Sequence, residues 1–340
     1  MTPAAAITHL ASALPEQVVT NADLMRAFPE WDMDRMVQRT GVRSRHIAHA
    51  NETSSDLGKA AAQKVLANSG IEADSLDALV VCSQTHDYLM PGNSALLHHA
   101  LGLRNDAMAF DLTLACSGFT YGLAVINGLI AAGTIKRALF ITGDTYSKLI
   151  APDDRSTRCL FGDGASAAII ERAGSGLVIG EQAFGTSGRH FDRFIVWAGG
   201  CRVGRPDWAP ESSRVTGDVP HTRAEIAMDG MGVLSFFGST VPPAVRSLLE
   251  RSNLGIGDID RFVFHQASLL ALETLQRALR IPDDRMVIDM ADTGNLVSAS
   301  VPVVLERELA RGTVHPGQRV VLAGFGVGLS WGVVLVDVVA

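Results

Sequence analysis

Two stretches of this 340-residue chain repeat one another, and that repetition limits the fold more than any single motif. Asn68-Ser-Gly-Ile-Glu-Ala-Asp-Ser-Leu-Asp-Ala-Leu-Val-Val-Cys-Ser-Gln-Thr85 lies without gaps on Arg251-Ser-Asn-Leu-Gly-Ile-Gly-Asp-Ile-Asp-Arg-Phe-Val-Phe-His-Gln-Ala-Ser268. Ser69 meets Ser252, Leu76 meets Ile259 and Asp77 meets Asp260, and an apolar strand follows the aspartate in both. Gly133-Thr-Ile135 and Gly312-Thr-Val314 come next in the same order, leading into the strands Ala138–Thr142 and Val320–Ala323. Phe161-Gly-Asp-Gly-Ala-Ser-Ala-Ala-Ile-Ile170 then resembles Phe325-Gly-Val-Gly-Leu-Ser-Trp-Gly-Val-Val334. Three ordered matches indicate a duplicated unit of about 170 residues. Strands alternating with helices make each copy α/β. The halves are 1–172 and 173–340, meeting near Arg172-Ala-Gly-Ser-Gly176.

Within the first half, Met108-Ala-Phe-Asp-Leu-Thr-Leu-Ala-Cys-Ser-Gly-Phe-Thr-Tyr-Gly122 reads as a short strand, a turn carrying Cys116, and a buried helix from Ser117 to about Ala132. Unpaired N–H groups and the positive end of the macrodipole meet at such a helix start. A thiol there is expected to ionise more readily, and the thiolate is the nucleophile. The plainer reading is a buried structural cysteine. His265 ends a strand of the second half, where Cys82 stands in the first. Asn295 lies in the turn Asp292-Thr-Gly-Asn-Leu-Val-Ser-Ala-Ser-Val-Pro302, ahead of another helix of small residues. If the halves pack about a pseudo-twofold axis, these turns converge at their junction, where active sites tend to lie. Each residue also has a plainer role: His265 in the core, Asn295 as turn geometry, Gly324–Gly328 as a tight hairpin.

Between the halves, Glu181 to Thr222 carries many Gly and Pro with Trp197, Cys201 and Trp208, and reads as an irregular inserted region. Asn21 is placed to cap a short helix through Phe28, and Thr53-Ser-Ser-Asp56 opens a helix to Ser69. The basic run Arg35–Arg45 reads as a solvated face or as a grip on an anionic ligand.

With a net charge of −7, the chain is a poor general partner for nucleic acid or an anionic membrane. No apolar run reaches the length of a membrane span, and the start lacks the pattern of a signal peptide. Four cysteines without metal-type spacing suit free thiols in the cytoplasm, with no metal expected.

A thiolate, a histidine and an asparagine amide suffice for carbon–carbon bond formation between thioesters. Cys116 would take an acyl group. His265 and Asn295 would donate hydrogen bonds to the carbonyl of a malonyl thioester as it loses carbon dioxide. The N–H groups of Cys116 and the Gly324–Gly328 turn, at Val327, would form the oxyanion hole. A papain-like protease also uses Cys, His and Asn. The surroundings Ala115-Cys-Ser-Gly118 carry no such signature, however, and a protease leaves the duplication unexplained.

Several of these motifs together resemble β-ketoacyl-acyl-carrier-protein synthase III. They are Ala115-Cys-Ser-Gly118, Phe161-Gly-Asp-Gly-Ala165, His265-Gln-Ala267, Gly294-Asn295 with Ser298-Ala-Ser-Val-Pro302, and Gly324-Phe-Gly-Val-Gly-Leu-Ser-Trp-Gly332. Arg39-Thr-Gly-Val-Arg43, Glu52-Thr-Ser-Ser-Asp56 and Met228-Asp-Gly230 add to the likeness. The resemblance implies a thiolase fold, two α/β halves in five layers, and a homodimer. It implies condensation of an acyl-CoA with a malonyl thioester, on carrier protein or CoA, without an added cofactor. Cys116 would be the acyl acceptor, His265 and Asn295 the decarboxylation pair, and Arg39 and Arg155 contacts to the CoA nucleotide. The chain departs from the pattern at Ser268, where the family has Asn, and at Leu270, where a basic residue is usual. It departs again at Arg35 in place of a tryptophan, and at Val327 in place of a glycine. These changes suggest an altered acyl donor or acceptor, as in relatives from secondary metabolism. The alternative activity is transfer of the acyl group from Cys116 to a hydroxyl or amine. A non-catalytic partner subunit is a third reading, opposed by the presence of Cys116.

Overall fold

Ala78-Leu-Val-Val-Cys82 is buried at every residue, as a strand covered on both faces must be. The computed structural model describes residues 5–172, 174–202 and 224–340. The elements of the first half are β1 (Ala5–Ala13), β2 (Val18–Thr20), α1 (Asn21–Ala27), α2 (Met33–Thr40), β3 (Ser44–His46), α3 (Ser54–Ser69), β4 (Ala78–Cys82), α4 (Asn93–Leu101), β5 (Met108–Leu112), α5 (Gly118–Ala131), β6 (Arg137–Asp144), α6 (Arg155–Arg158) and β7 (Gly164–Arg172). Then come β8 (Gly176–Thr186), β9 (Phe194–Val196), β10 (Ile226–Met228), α7 (Gly230–Arg251), β11 (Arg261–Phe264), α8 (Leu269–Leu279), α9 (Ser300–Arg311), β12 (Arg319–Gly326) and β13 (Ser330–Val339).

Nine strands form one sheet in the order β11-β12-β13-β8-β1-β7-β6-β4-β5. Read from either edge inward, the connectivity repeats. β4 pairs in parallel with β6, and β11 with β12. β6 pairs antiparallel with β7, and β12 with β13. The partner that β5 provides for β4 shrinks, in the second half, to a parallel bridge between Phe262 and Met286. The two sets of strands touch through β1 and β8 at Ala6–Val178 and Ile7–Leu177.

Alternation along the strands sorts the core into layers. Ala78, Val80 and Cys82 of β4 pack with Phe119, Leu123 and Ile126 of α5, as do Val320 and Leu322 of β12. Val301, Val304 and Leu305 of α9 belong to the same core. Leu79 and Val81 face the opposite way, toward Ala61, Ala62 and Val65 of α3. Val321 and Ala323 face Val241 and Val245 of α7 and Leu272 and Leu275 of α8. Helices α5 and α9 thus lie between two sheet faces, with α3 and α4 outside one and α7 and α8 outside the other. These are the expected five layers.

Local chemistry explains the helix starts. Thr53 and Asp56 form a reciprocal capping box at α3. At α1 the box is made by Thr20 and Asp23, so the cap is Thr20 and not the Asn21 expected. The expected irregular region also needs correction: from Glu181 to Thr186 the chain continues β8, paired with β13. Gly185 suggested a loop, but it is there because a Cβ would stand 1.9 Å from the Trp331 ring. Phe194–Val196 forms a further strand, and Pro206, Trp208, Pro210 and Pro220 lie outside the described residues.

Candidate active site

Cys116 is buried in the turn between β5 and α5. The next residue, Ser117, shares a 2.8 Å hydroxyl contact with Ser330 of β13, tying the helix start to the second half. β12 passes directly beneath. A Cβ on Gly324 would stand 2.6 Å from the Cys116 carbonyl oxygen, and one on Gly326 would stand 2.6 Å from both Cβ and Sγ of Cys116. Only glycine allows so close an approach. The backbone N–H groups of Val327 and of Cys116 itself favour the ionised sulfur.

His265 follows β11, and its N–H donates to Ala323 of β12 at 2.7 Å. Its ring stands edge-on to Phe325, centroids 5.6 Å apart, immediately before Gly326. Asn295 is held from two sides. Its N–H donates to Leu160 at 2.9 Å and its carbonyl accepts from Gly162 at 3.1 Å, so the Phe161-Gly-Asp-Gly164 run grips the turn. This grip demands glycines, since a Cβ on Gly162 would stand 2.1 Å from the Thr293 carbonyl. The Val297 N–H donates to Asn295 Oδ1 at 2.9 Å. That assigns the amide and leaves Nδ2 facing His265 Nε2 at 3.4 Å. Val297 itself sits at φ +53°, unfavourable for a β-branched residue.

The electrostatics of the buried seam differ from expectation. Burial pushes the Cys116 thiol up to about 12, and the Asp144 carboxylate adds to the effect; the two N–H groups pull the other way. The resting group is a thiol, not the readily ionised thiolate that its place before a helix suggested. Burial likewise pushes His265 down to about 3, so its imidazole is neutral, and its Nδ1 has no hydrogen-bond partner. Asp144, at the end of β6, is raised by burial to about 6 although it accepts from Ser298, Gln84 and Ser83.

Comparison with known proteins supplies the family. Residues 249–338 match the model for the C-terminal part of 3-oxoacyl-[acyl-carrier-protein (ACP)] synthase III, and residues 110–188 match the model for 3-oxoacyl-[acyl-carrier-protein (ACP)] synthase III itself. A Streptomyces coelicolor beta-ketoacyl-[acyl-carrier-protein] synthase III is 36% identical over 336 residues, covering 98% of this chain and 96% of that one. A Pseudomonas aeruginosa relative of the same name is 37% identical, covering 98% and 96%. This chain belongs to the ketoacyl-ACP synthase III family. A 3-oxoacyl-(acyl-carrier-protein) synthase III of known structure superposes with a TM-score of 0.91 at 38% identity, covering 98% of this chain and all of that one. The priming β-ketosynthase of the R1128 polyketide pathway gives 0.86 at 30% identity, covering 99% and 97%. The fold is therefore the thiolase fold, and the protein is a condensing enzyme.

As a synthase III the chain has a departure that its structure makes concrete. The tryptophan nearest Arg39 is Trp31, buried and stacked on Phe28 at 4.1 Å, while Arg35 is exposed on α2. Arg39, in the last turn of α2, and Arg155, at the start of α6, are both exposed and apart from the buried seam. Ser268 caps α8, accepting from the Ala271 N–H at 3.2 Å. Leu89, Met90 and Phe191 are large apolar side chains exposed in the single chain.

Sequence reasoning missed Gln266. Its amide nitrogen donates to Phe264 and Val287 and its oxygen accepts from Asp289, which pins the strand end that carries His265. It also missed Asp144 and Ser298 as a bond between the halves. No spacing marks either.

Proposed function

We propose that Cys116, His265 and Asn295 are the catalytic residues of this condensing enzyme. The Cys116 thiol exchanges with an acyl-CoA, giving the acyl-enzyme and free CoA thiol. A malonyl thioester, on CoA or on acyl carrier protein, then binds with its carbonyl oxygen between His265 Nε2–H and Asn295 Nδ2–H. Loss of carbon dioxide leaves an enolate whose negative oxygen these donors stabilise. The enolate carbon attacks the acyl carbon, the C–S bond breaks, and the sulfur takes up a proton. The product is a β-ketoacyl thioester. The N–H groups of Cys116 and Val327 serve as the oxyanion hole for both tetrahedral intermediates.

One observation carries this reading: the neutral imidazole and the amide nitrogen face each other, Nε2 to Nδ2 at 3.4 Å, in a buried seam. Separation beyond ordinary hydrogen-bond length suits groups aimed at a shared third atom. A protease would need the imidazole as a base oriented by the asparagine, but Asn295 Oδ1 is already taken by Val297. The named relatives are synthases, which favours condensation over simple acyl transfer. Acyl-CoA contacts at Arg39 and Arg155, a homodimer, duplicated domains 1–172 and 173–340, and the absence of any cofactor requirement belong to the same proposal. Among the described residues no helix is long and apolar enough to cross a membrane.

The test is to incubate the protein with radiolabelled acyl-CoAs and then add malonyl-CoA or malonyl-carrier protein. Label on the wild type but not on Cys116→Ala, followed by carbon dioxide release, is expected. Equal label on Cys116→Ala overturns the assignment.

A further inference from the structure

Tyr146, two residues after the end of β6, is buried. Its hydroxyl donates to Gln84 Oε1 at 2.6 Å, and the Gln84 N–H donates in turn to Asp144. Its ring packs on Phe161, centroids 5.4 Å apart, and edge-on to Phe194 at 6.1 Å, while Phe161 and Phe194 stand 5.9 Å apart. The three rings close a triangle and share one buried cluster with Ala115 and Cys116. Each ring is fixed from a different part of the chain. The Phe161 backbone bridges to Asn295, and Phe194 pairs with Met228 across β9 and β10. Tyr146 is tied through Gln84 to the acid that holds Ser298. Burial pushes the Tyr146 phenol well up, and Asp144, Cys116 and Cys82 add to the effect, so the hydroxyl end of the ring lies within electrostatic reach of the nucleophile. Phe161 also lines, with Ile150 and Leu24, a cavity of about 250 Å³ beside the β2–β3 hairpin, and neither Cys116 nor Tyr146 lines it.

An acyl group carried by Cys116 has to leave the sulfur through this packing. On one side the β12 backbone closes in, since a Cβ on Gly326 would stand 2.6 Å from Sγ. His265 and Asn295 are reserved for the malonyl carbonyl. The aromatic side remains, and a core packed to crystal density takes extra methylenes only by displacing a ring. We infer, resting on Cys116 as the acyl acceptor, that Tyr146 sets the length of the acyl group this enzyme takes. Its ring, braced by Phe161 and Phe194, admits short straight chains and excludes long ones. A smaller side chain at this position frees the Phe161 ring and gives a long chain the space beyond it.

The test is acylation of the full chain by each of a straight series from acetyl-CoA to dodecanoyl-CoA, read by intact-protein mass spectrometry at early times. The wild type should load acetyl, propionyl and butyryl groups, and octanoyl or longer groups about tenfold more slowly or worse. In Tyr146→Ala the ratio of octanoyl to acetyl loading should rise about tenfold or more. Tyr146→Leu, which keeps an apolar filling, should move it the same way if the alanine variant does not fold. Tyr146→Phe, which keeps the ring and loses the bond to Gln84, should retain the wild-type ratio. General damage to the core would slow both chain lengths alike and leave the ratio unmoved. A wild type that loads dodecanoyl as fast as acetyl, or a wild-type ratio in folded Tyr146→Ala and Tyr146→Leu, overturns the role of Tyr146 while leaving Cys116 as the acceptor. No loading by any member of the series, or equal loading of Cys116→Ala, overturns both.

Discussion

Asp144 and Ser298 are joined across the two halves by two hydrogen bonds, 2.5 Å from the serine hydroxyl and 3.3 Å from its N–H, both to Oδ2. Ser298 lies three residues beyond Asn295, and Asp144 is the last residue of β6. The same carboxylate accepts from the Gln84 N–H at 2.8 Å. One buried acid thus positions the turn bearing the amide and raises the pKa of the thiol.

Asp144 makes stability depend on pH with an unusual sign. Its folded pKa, about 6, exceeds the ordinary 3.8. Between these values the folded chain binds more protons than the unfolded one, so this group's contribution declines as pH rises from 4 to 6, by about 3 kcal/mol. His265 works oppositely: folded at about 3 and ordinarily 6.5, it makes the chain more stable as pH rises between those values. Comparing wild type with Asp144→Asn by urea unfolding at pH 4.5, 6 and 7.5 isolates the first effect. The wild type should lose ground against the variant as pH rises; a constant difference sinks the assignment.

The resting thiol should alkylate slowly. With Cys116 at about 12, its iodoacetamide rate should climb tenfold per pH unit from pH 7 to 10 without a plateau. Cys82 and Cys159 are buried, while Cys201 is exposed and should react first at pH 7.5. Peptide mass spectrometry after timed quenching reads each site. A plateau for Cys116 near neutrality would show a thiolate already formed.

His265→Ala and Asn295→Ala should separate the two half-reactions. Loading of labelled acyl-CoA onto Cys116 persists, while decarboxylation of the malonyl thioester falls about 10²–10³-fold in each. Asn295→Asp, which substitutes an acceptor for the donor, should do no better. A variant that loses loading and decarboxylation equally would make the pair structural instead.

Gly326→Ala places a methyl 2.6 Å from the Cys116 sulfur. Backbone and side chain must shift, at a cost of about 1–3 kcal/mol. Acyl loading should fall far more than the melting temperature suggests. Unimpaired loading would mean that β12 does not run as closely beneath the nucleophile as the geometry shows.

The strands and the meeting of His265 with Asn295 were legible because both follow from local signals: apolar runs bounded by glycine, and chemically distinctive residues at a strand end and in a turn. What stayed hidden depends on neighbours distant in sequence. Gly185 looked like a loop because its reason, the Trp331 ring, lies on another strand. The Cys116 turn was read correctly as the start of a helix, yet the expected acidity was wrong. Burial and a carboxylate 28 positions away in sequence outweigh the local field. Arg45 sat in a run read as a solvated face or an anion grip, and nothing in its spacing marks it as nearly fully enclosed.

Helices α5 and α9 are roofed on both sides, each by strands from both parts of the chain. A protein cleaved at the β7–β8 connection therefore leaves each fragment with a greasy rod stripped of one cover. Neither piece is self-sufficient, and the two should recover a soluble enzyme only when made together in one cell. Each part of the chain thus supplies the cover that the other's buried helix lacks.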